Sequence, residues 1–510
     1  MLKTVRENSP AETCSGLSFG RWVLVTWLMC SVLLFGCAVV PEPTRSTHVG
    51  SPGPVGGCAD FFASLDARTA RSNAFDSGYE RVEEYPYIRT DRFIASFREE
   101  AESERTFDAW VDRMQAVDRL ARRNEIAQLS DADILSIGSA GSRDQLYLKV
   151  VVCGDLLRHE DLSSARKRNR LREIAVAHDE YITPRRVVGL YPLAKVFVSH
   201  GVDKWHAEER RQFSLEPNEE GQSVRYVPVA GFEAGSAYPI VRSAERDALG
   251  IPIYAFQDRR ILFHTFAPVW KIQHQSGDDL IGSPTWTDDA RIGVDTGLPQ
   301  TYTHLSFTRF EGAVLTQLNY IIWFPARTKD RPCDIYAGLL DGITFRVTLD
   351  LQGEPILYES MHNCGCYYKA YPTRHLKIRE TIAYAEPPLI LEAPEIDFAS
   401  QSLTIAMEAG THYIRHLYPL SHSGQAGSIV YAFADYDELK RLAHPIEHSK
   451  SMFDRYGLVP GSQRMERSIL WPTGVLSPGA MRQWGTHAVA FVGRRHFDDP
   501  FYMDNMFTRP

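Results

Sequence analysis

Met361-His362-Asn363-Cys364-Gly365-Cys366-Tyr367 is the segment whose residue types come closest to naming a chemistry. In an extended chain alternate residues share a face. His362, Cys364 and Cys366 would then point one way, as an imidazole and two sulfurs, the soft ligands that suit zinc, copper or iron. Geometry limits this reading. Same-face neighbours on a straight strand lie roughly 6.6 Å apart, whereas thiolate–zinc bonds are about 2.3 Å long. The three can converge only if the chain bends, and Gly365 is where it could. A fourth ligand would come from His412 or His416, which share a face in either a helix or a strand. The spacing is not diagnostic, because the chain has 17 histidines and chance pairs are expected. Two other readings stay open. The C-x-C pair could be a redox-active dithiol, or both cysteines could be structural, one of them bonded to Cys333.

Other clusters point less sharply. Gly277-Asp278-Asp279, Asp288-Asp289 and Asp295 form an acidic stretch with oxygen ligands for calcium, but without EF-hand order, so a solvated loop is the better expectation. Arg494-Arg495-His496-Phe497-Asp498-Asp499 could clamp an anion, although internal salt bridges are the simpler use. The basic run Arg166-Lys167-Arg168-Asn169-Arg170 has Glu160, Asp161 and Glu173 nearby and reads as a solvated helix face. The short motifs of zinc proteases and phosphate loops are absent from the sequence, which leaves no named reaction.

The elements that must position these groups divide into two textures. From Cys58 to about Pro184 the pattern is helical. Phe107, Trp110, Met114, Val117 and Ala121 recur at three- and four-residue steps, as do Leu146, Val150, Cys153 and Leu157, although Val150–Val152 could also be a buried strand. Ser130 with Asp133 three residues on marks a helix start. After Pro184 short alternating runs take over. Ile343, Phe345, Val347 and Leu349 alternate with Thr344, Arg346, Thr348 and Asp350, which predicts a strand with one polar face. Asp341-Gly342 and Gln352-Gly353 flank it as turn signals. Val314–Phe324, stopped by Pro325, is a second strand, and residues 389–391, 403–407, 429–433 and 487–492 are further ones. The expectation is an α+β chain, with a helical domain over 58–184 and a large mostly-β domain, sandwich or barrel-like, over 185–510. A protease-sensitive joint is expected near Thr183–Arg186.

The formal charge of -8 argues against nucleic acid as a partner. At the N-terminus, Arg21 precedes an uncharged apolar run, Trp22–Gly36, that is short for a spanning helix and suits a signal peptide. Leu34-Phe35-Gly36-Cys37 resembles the bacterial lipobox. That resemblance implies cleavage before Cys37 and acylation of its thiol, as with palmitate, leaving a lipoprotein held on the cell-envelope membrane. Ala38 implies outer-membrane sorting, facing the periplasm. The alternative is an uncleaved N-terminal anchor. Residues 38–57, rich in proline and glycine, read as a tether. Beyond Cys37 five cysteines remain, an odd number in an oxidising compartment. Cys58 and Cys153, both in the N-terminal part, are the expected disulfide. Two classes of function follow. One is a periplasm-facing metalloprotein. The other is a non-catalytic lipoprotein that binds an envelope partner or small molecule, with its cysteines structural or redox-active.

Overall fold

The computed structural model describes residues 45–137, 141–215, 222–229, 237–329, 333–382, 384–425 and 427–510. Trp22–Gly36 and Cys37 lie outside the described residues. Helices fill the N-terminal part and a large curled sheet, a half-barrel, fills the C-terminal part, so the chain is α+β. Residues Pro43–Pro510 form one compact unit. The hydrophobic cores all lie within it, so it carries the buried apolar surface it needs to fold on its own.

The helices follow their sequence signals. Gly53–Arg71 starts five residues before Cys58, inside the stretch expected to be tether, because Pro54 occupies the first helical turn, where a missing N–H costs nothing. Ser103 caps Glu104–Gln128, whose Phe107, Trp110, Met114 and Ala121 are buried. Ser130 accepts the Asp133 N–H at 3.1 Å and starts the next helix. Leu146, Val150, Cys153 and Leu157 line the buried face of Arg143–Leu162, so Val150–Val152 is helical. A buried ionic cluster ties this region together: Arg89 and Arg122 meet Asp118 and Glu125, and Arg122 also holds Asp66.

The helices continue past Pro184. Thr183–Val188 takes Pro184 into its first turn, and Ile182 N–H donates to Gly474 O at 2.9 Å. Tyr191–Phe213 follows as a helix of 23 residues. Among the described residues no helix is long and apolar enough to cross a membrane.

The sheet has 11 strands. Its centre is an antiparallel meander of Gln300–Phe310, Ala313–Arg327, Gly338–Leu349 and Pro355–His362. Along Ala313–Arg327, Leu318, Tyr320, Ile322 and Phe324 enter one core while Leu315, Ile321 and Trp323 enter another. Burial on both faces explains why this run reads as continuously apolar. The strand runs through Pro325 to Arg327, pairing Ala326 with Leu339.

Two expectations about the neighbouring strand are overturned. Thr344, Arg346 and Thr348 are buried, so Gly338–Leu349 has no solvent face. The C-terminal segment covers that side, with Arg346 donating to Phe497 O and pairing with Glu359. Asp341-Gly342 is not a turn but part of the strand, opposite Phe324 and Trp323. A Cβ on Gly342 would sit 2.5 Å from Ile322 O, so the close approach of backbone, not a bend, requires glycine there. Gln352-Gly353 does turn, with Gly353 at φ +86°. Residues 487–492 form no strand and contribute one isolated bridge, Ala488 to His496.

Candidate functional site

The His-x-Cys-x-Cys segment is not extended. Its strand ends at His362, and the next residues turn back: Gly365 N–H donates to His362 O at 2.7 Å and His362 N–H to Cys366 O at 3.0 Å. Gly365 at φ +87° closes the turn, and a Cβ there would lie 2.6 Å from Ala488 O. Asn363 anchors the turn through Ile322 O and Thr344 Oγ1, and Arg482 Nε donates to Cys364 O at 3.0 Å. The turn breaks the alternation that would have put three ligands on one face. Among the described residues no group of three or more His, Cys, Asp or Glu side chains is placed to hold a metal ion.

The five residues expected as ligands are divided among three surroundings. His362 and His412 do come together, but on a carboxylate. Their Nδ1 atoms lie 3.2 and 2.9 Å from the two oxygens of Asp341, whose other partner is Arg464 Nη2 at 3.2 Å. Burial works against the Asp341 charge, yet His362 and Arg464 hold its carboxyl well below the usual range. His412 stacks flat on Phe324, centroids 3.8 Å apart, and its Nε2 lies 3.5 Å from Asp279 Oδ1. Burial opposes its charge, but Asp279 and Asp341 outweigh it and raise the His412 pKa. Cys364 and Cys366 are buried free thiols that hydrogen-bond to each other. That bond and burial push the Cys366 thiol well up. His416 is elsewhere, stacked on Phe213 at 5.9 Å. Cys333 is an exposed free thiol, so it staples neither cysteine. Cys58 and Cys153 are bonded.

The acidic stretch is likewise spent within the protein. Asp279 accepts backbone N–H bonds from Gln275, Ser276 and Gly410, Asp289 pairs with Arg291, and Asp295 accepts the Gly297 N–H. The Arg494–Asp499 segment makes internal pairs, Arg494 with Asp179 and Arg92 with Asp498.

What the turn does build is one wall of a cavity. Cys366 and Tyr367 face it together with the Tyr191–Phe213 helix, Tyr413, Glu466, Ile469 and Phe491, around a volume of about 410 Å³. Pockets of roughly 300–1,000 Å³ with apolar walls and a few polar groups are the usual form of small-molecule sites. Along the helix, Val198, Val202, Trp205 and His206 recur at the spacing of one face and line the cavity. Trp205 and Tyr413 pack on Tyr367, at 5.5 and 4.7 Å. Arg327 lies behind them, its guanidinium 5.3 Å from the Tyr367 ring and 5.0 Å from Tyr413, so those ring faces already hold a cation. Two donors of the wall, Trp205 Nε1 and Arg495 Nε, are buried and find no acceptor among the described residues. Buried donors are rarely left so.

Glu466 is the cavity's unusual acid. Burial raises its carboxyl, Arg464 and Arg327 only partly offset this, and its pKa stands at about 7. The folded value lies above the unfolded one, near 4.5. The Glu466 contribution to stability is therefore full below pH 4.5 and is lost as pH rises through about 7. The shift corresponds to about 3 kcal/mol. Glu466→Gln does not titrate, so its stability relative to the unaltered protein is expected to rise by that order between pH 4.5 and pH 8. Urea unfolding at the two pH values measures it; a constant difference would mean that the carboxyl is not desolvated.

Sequence reasoning missed Asp341, Trp205, Tyr413 and Glu466. The helix Tyr191–Phe213 left one usable trace, the apolar run Leu193 to Val198 broken only by Lys195. Compared with protein-family models, with curated proteins and with solved structures, the chain matches none.

Proposed function

We propose that this protein is a cell-envelope lipoprotein that binds an apolar small molecule in the cavity between the Tyr191–Phe213 helix and the His362–Cys366 turn, without transforming it. The observation that carries the reading is the cavity itself, with its aromatic and aliphatic walls. The divided His and Cys side chains favour binding over metal chemistry, and the cysteines of the turn act as wall and scaffold. Anchoring rests on the Leu34–Cys37 segment. In cells fed labelled palmitate the chain should take up label and Cys37→Ser should not; equal labelling would remove the anchor from the proposal.

Gly201 offers a clean test of the cavity. It lines the space, and a Cβ built on it meets nothing within 4 Å. Position 201 therefore accepts a side chain at its Cβ, replacing glycine within a helix is mildly favourable, and Gly201→Trp is expected to place its indole in the cavity. The neutral fluorophore N-phenyl-1-naphthylamine is expected to bind the unaltered chain and to lose at least tenfold in affinity to Gly201→Trp, with an unchanged melting temperature. Absent binding, or equal binding by the two proteins, would overturn the reading.

A further inference from the structure

The outer side of the same helix is apolar and faces solvent. Leu193, Val196 and Phe197 follow one another at helical spacing, Phe197 being 81% exposed. Val187 and Leu190 continue the patch on the N-terminal side, and Ile469 adds to it from the Arg467–Leu470 helix. Scattered exposed apolar residues are ordinary, but a contiguous patch marks a surface that meets something. Phe197 and Ile469 belong both to this patch and to the wall of the cavity. The cavity thus opens through the apolar face.

Charge restricts what that face can meet. Between Glu180 and Asp203 the chain carries no acidic residue, while it carries Arg185 and Lys195; Arg186 is held by Thr473 O and Gly493 O. Arg467, exposed, stands beside Ile469. A helix face with aromatic and aliphatic side chains, flanked by cations and free of acids, is the form of element that lies in a membrane interface. Chain length agrees. Arg45, the first described residue, is eight positions after Cys37, a reach of at most about 28 Å. A lipid on Cys37 would keep the folded unit within that distance of a bilayer. A protein partner covering the patch would also seal the cavity mouth, whereas a bilayer would supply it.

We propose that this face docks on an anionic lipid bilayer and that the cavity takes up an acyl chain from it, the chain lying among the aromatic and aliphatic walls. The proposal rests on the cavity being a binding site for apolar molecules, and it names both the ligand class and its source.

Residues 43–510, which lack the apolar N-terminal run, are mixed with vesicles of phosphatidylcholine containing a quarter phosphatidylglycerol, or with phosphatidylcholine alone, and floated on a density gradient. Most of the protein is expected to float with the anionic vesicles and at least fivefold less with the neutral ones. The doubly altered Leu193→Asp/Phe197→Asp protein should lose at least tenfold in bound fraction while keeping its melting temperature. With lipids brominated along the acyl chain, tryptophan quenching should fall in Trp205→Phe and in Gly201→Phe. No flotation, or flotation indifferent to the Leu193/Phe197 change, overturns docking. Flotation with quenching unchanged in Trp205→Phe and Gly201→Phe overturns acyl uptake. In either case, naphthylamine binding sensitive to Gly201→Trp would leave the cavity reading standing, so the two failures are distinguishable.

Discussion

Asp341→Ala is expected to lower the free energy of unfolding by about 3–5 kcal/mol, the usual cost of removing one partner from a buried ion pair. Asp341 and Arg464 are both fully buried, and Arg464 Nη2 is the guanidinium group's contact with the carboxylate. Without Asp341 the guanidinium keeps one acceptor on that nitrogen, Leu340 O, because its Nε and Nη1 already find none among the described residues. His362 and His412 lose their shared acceptor in the same step. Asp341→Asn, which preserves shape and part of the hydrogen bonding, should cost less. The pH dependence has a definite sign. His412 has a raised folded pKa, so its contribution is full below the unfolded value near 6.5 and is lost as pH rises through the folded one. Asp341 supplies part of that contribution, and the deficit of Asp341→Ala should be wider at pH 5.5 than at pH 9. Urea unfolding of both proteins at the two pH values checks size and sign. A deficit under 1 kcal/mol would mean that the network rearranges around the loss.

The same residue shows why parts of the fold and site were legible and others were not. Local signals were sufficient for the helices. The stripe from Phe107 to Ala121 and the Ser130 cap act within a turn or two of their own positions, where periodicity and side-chain reach determine the outcome. Asp341-Gly342 carries an equally plain local signal, for a turn, yet sits in the middle of a buried strand. Long-range partners override it: His362, His412 and Arg464 arrive from 21, 71 and 123 residues away to neutralise the carboxylate. Nothing in the spacing of those residues announces the meeting. Thr344 and Arg346 were read as a polar face for the same reason, since their burial depends on Asn363, Glu359 and a C-terminal segment that packs over the sheet.

The cavity lies at the far end of that scale. Its walls come from Phe197–His206, Cys366–Tyr368, Tyr413, Glu466–Leu470 and Ala488–Phe491. No one of these segments has an unusual composition. The His-x-Cys-x-Cys segment attracted attention through its residue types, and its place in the cavity wall depends instead on Gly365, whose positive φ converts an alternating strand into a turn. Residue chemistry singled out a segment that lines the cavity, and backbone geometry changed what its side chains meet.

Loss of the Cys58–Cys153 disulfide should be the other large effect. The bond joins the Gly53–Arg71 helix to Arg143–Leu162 with Cα atoms 5.1 Å apart, and 95 residues separate its ends. Closing a loop of about 100 residues restricts the unfolded chain by roughly 4.7 kcal/mol on chain-entropy grounds, and removal of native bridges typically costs 2–5 kcal/mol. Against a total stability of about 5–15 kcal/mol, usual for a folded domain, that is a substantial fraction. Cys58→Ser/Cys153→Ser is the variant to use, because a single replacement would leave a thiol able to exchange with exposed Cys333. Both sulfurs are buried among Phe62, Leu65, Val150 and Leu157, so the packed helices should remain native-like, and the loss should appear as a lower urea midpoint with a similar slope. Thiol titration of the denatured chains provides the accompanying check on pairing. Residues 43–510 should show three free thiols before reduction, Cys333, Cys364 and Cys366, and five after it. A midpoint unchanged by the double replacement would show that the unfolded chain is already held compact by other means. Five free thiols in protein taken from an oxidising compartment would show that the bridge does not form, and with it would go the cysteine argument for export.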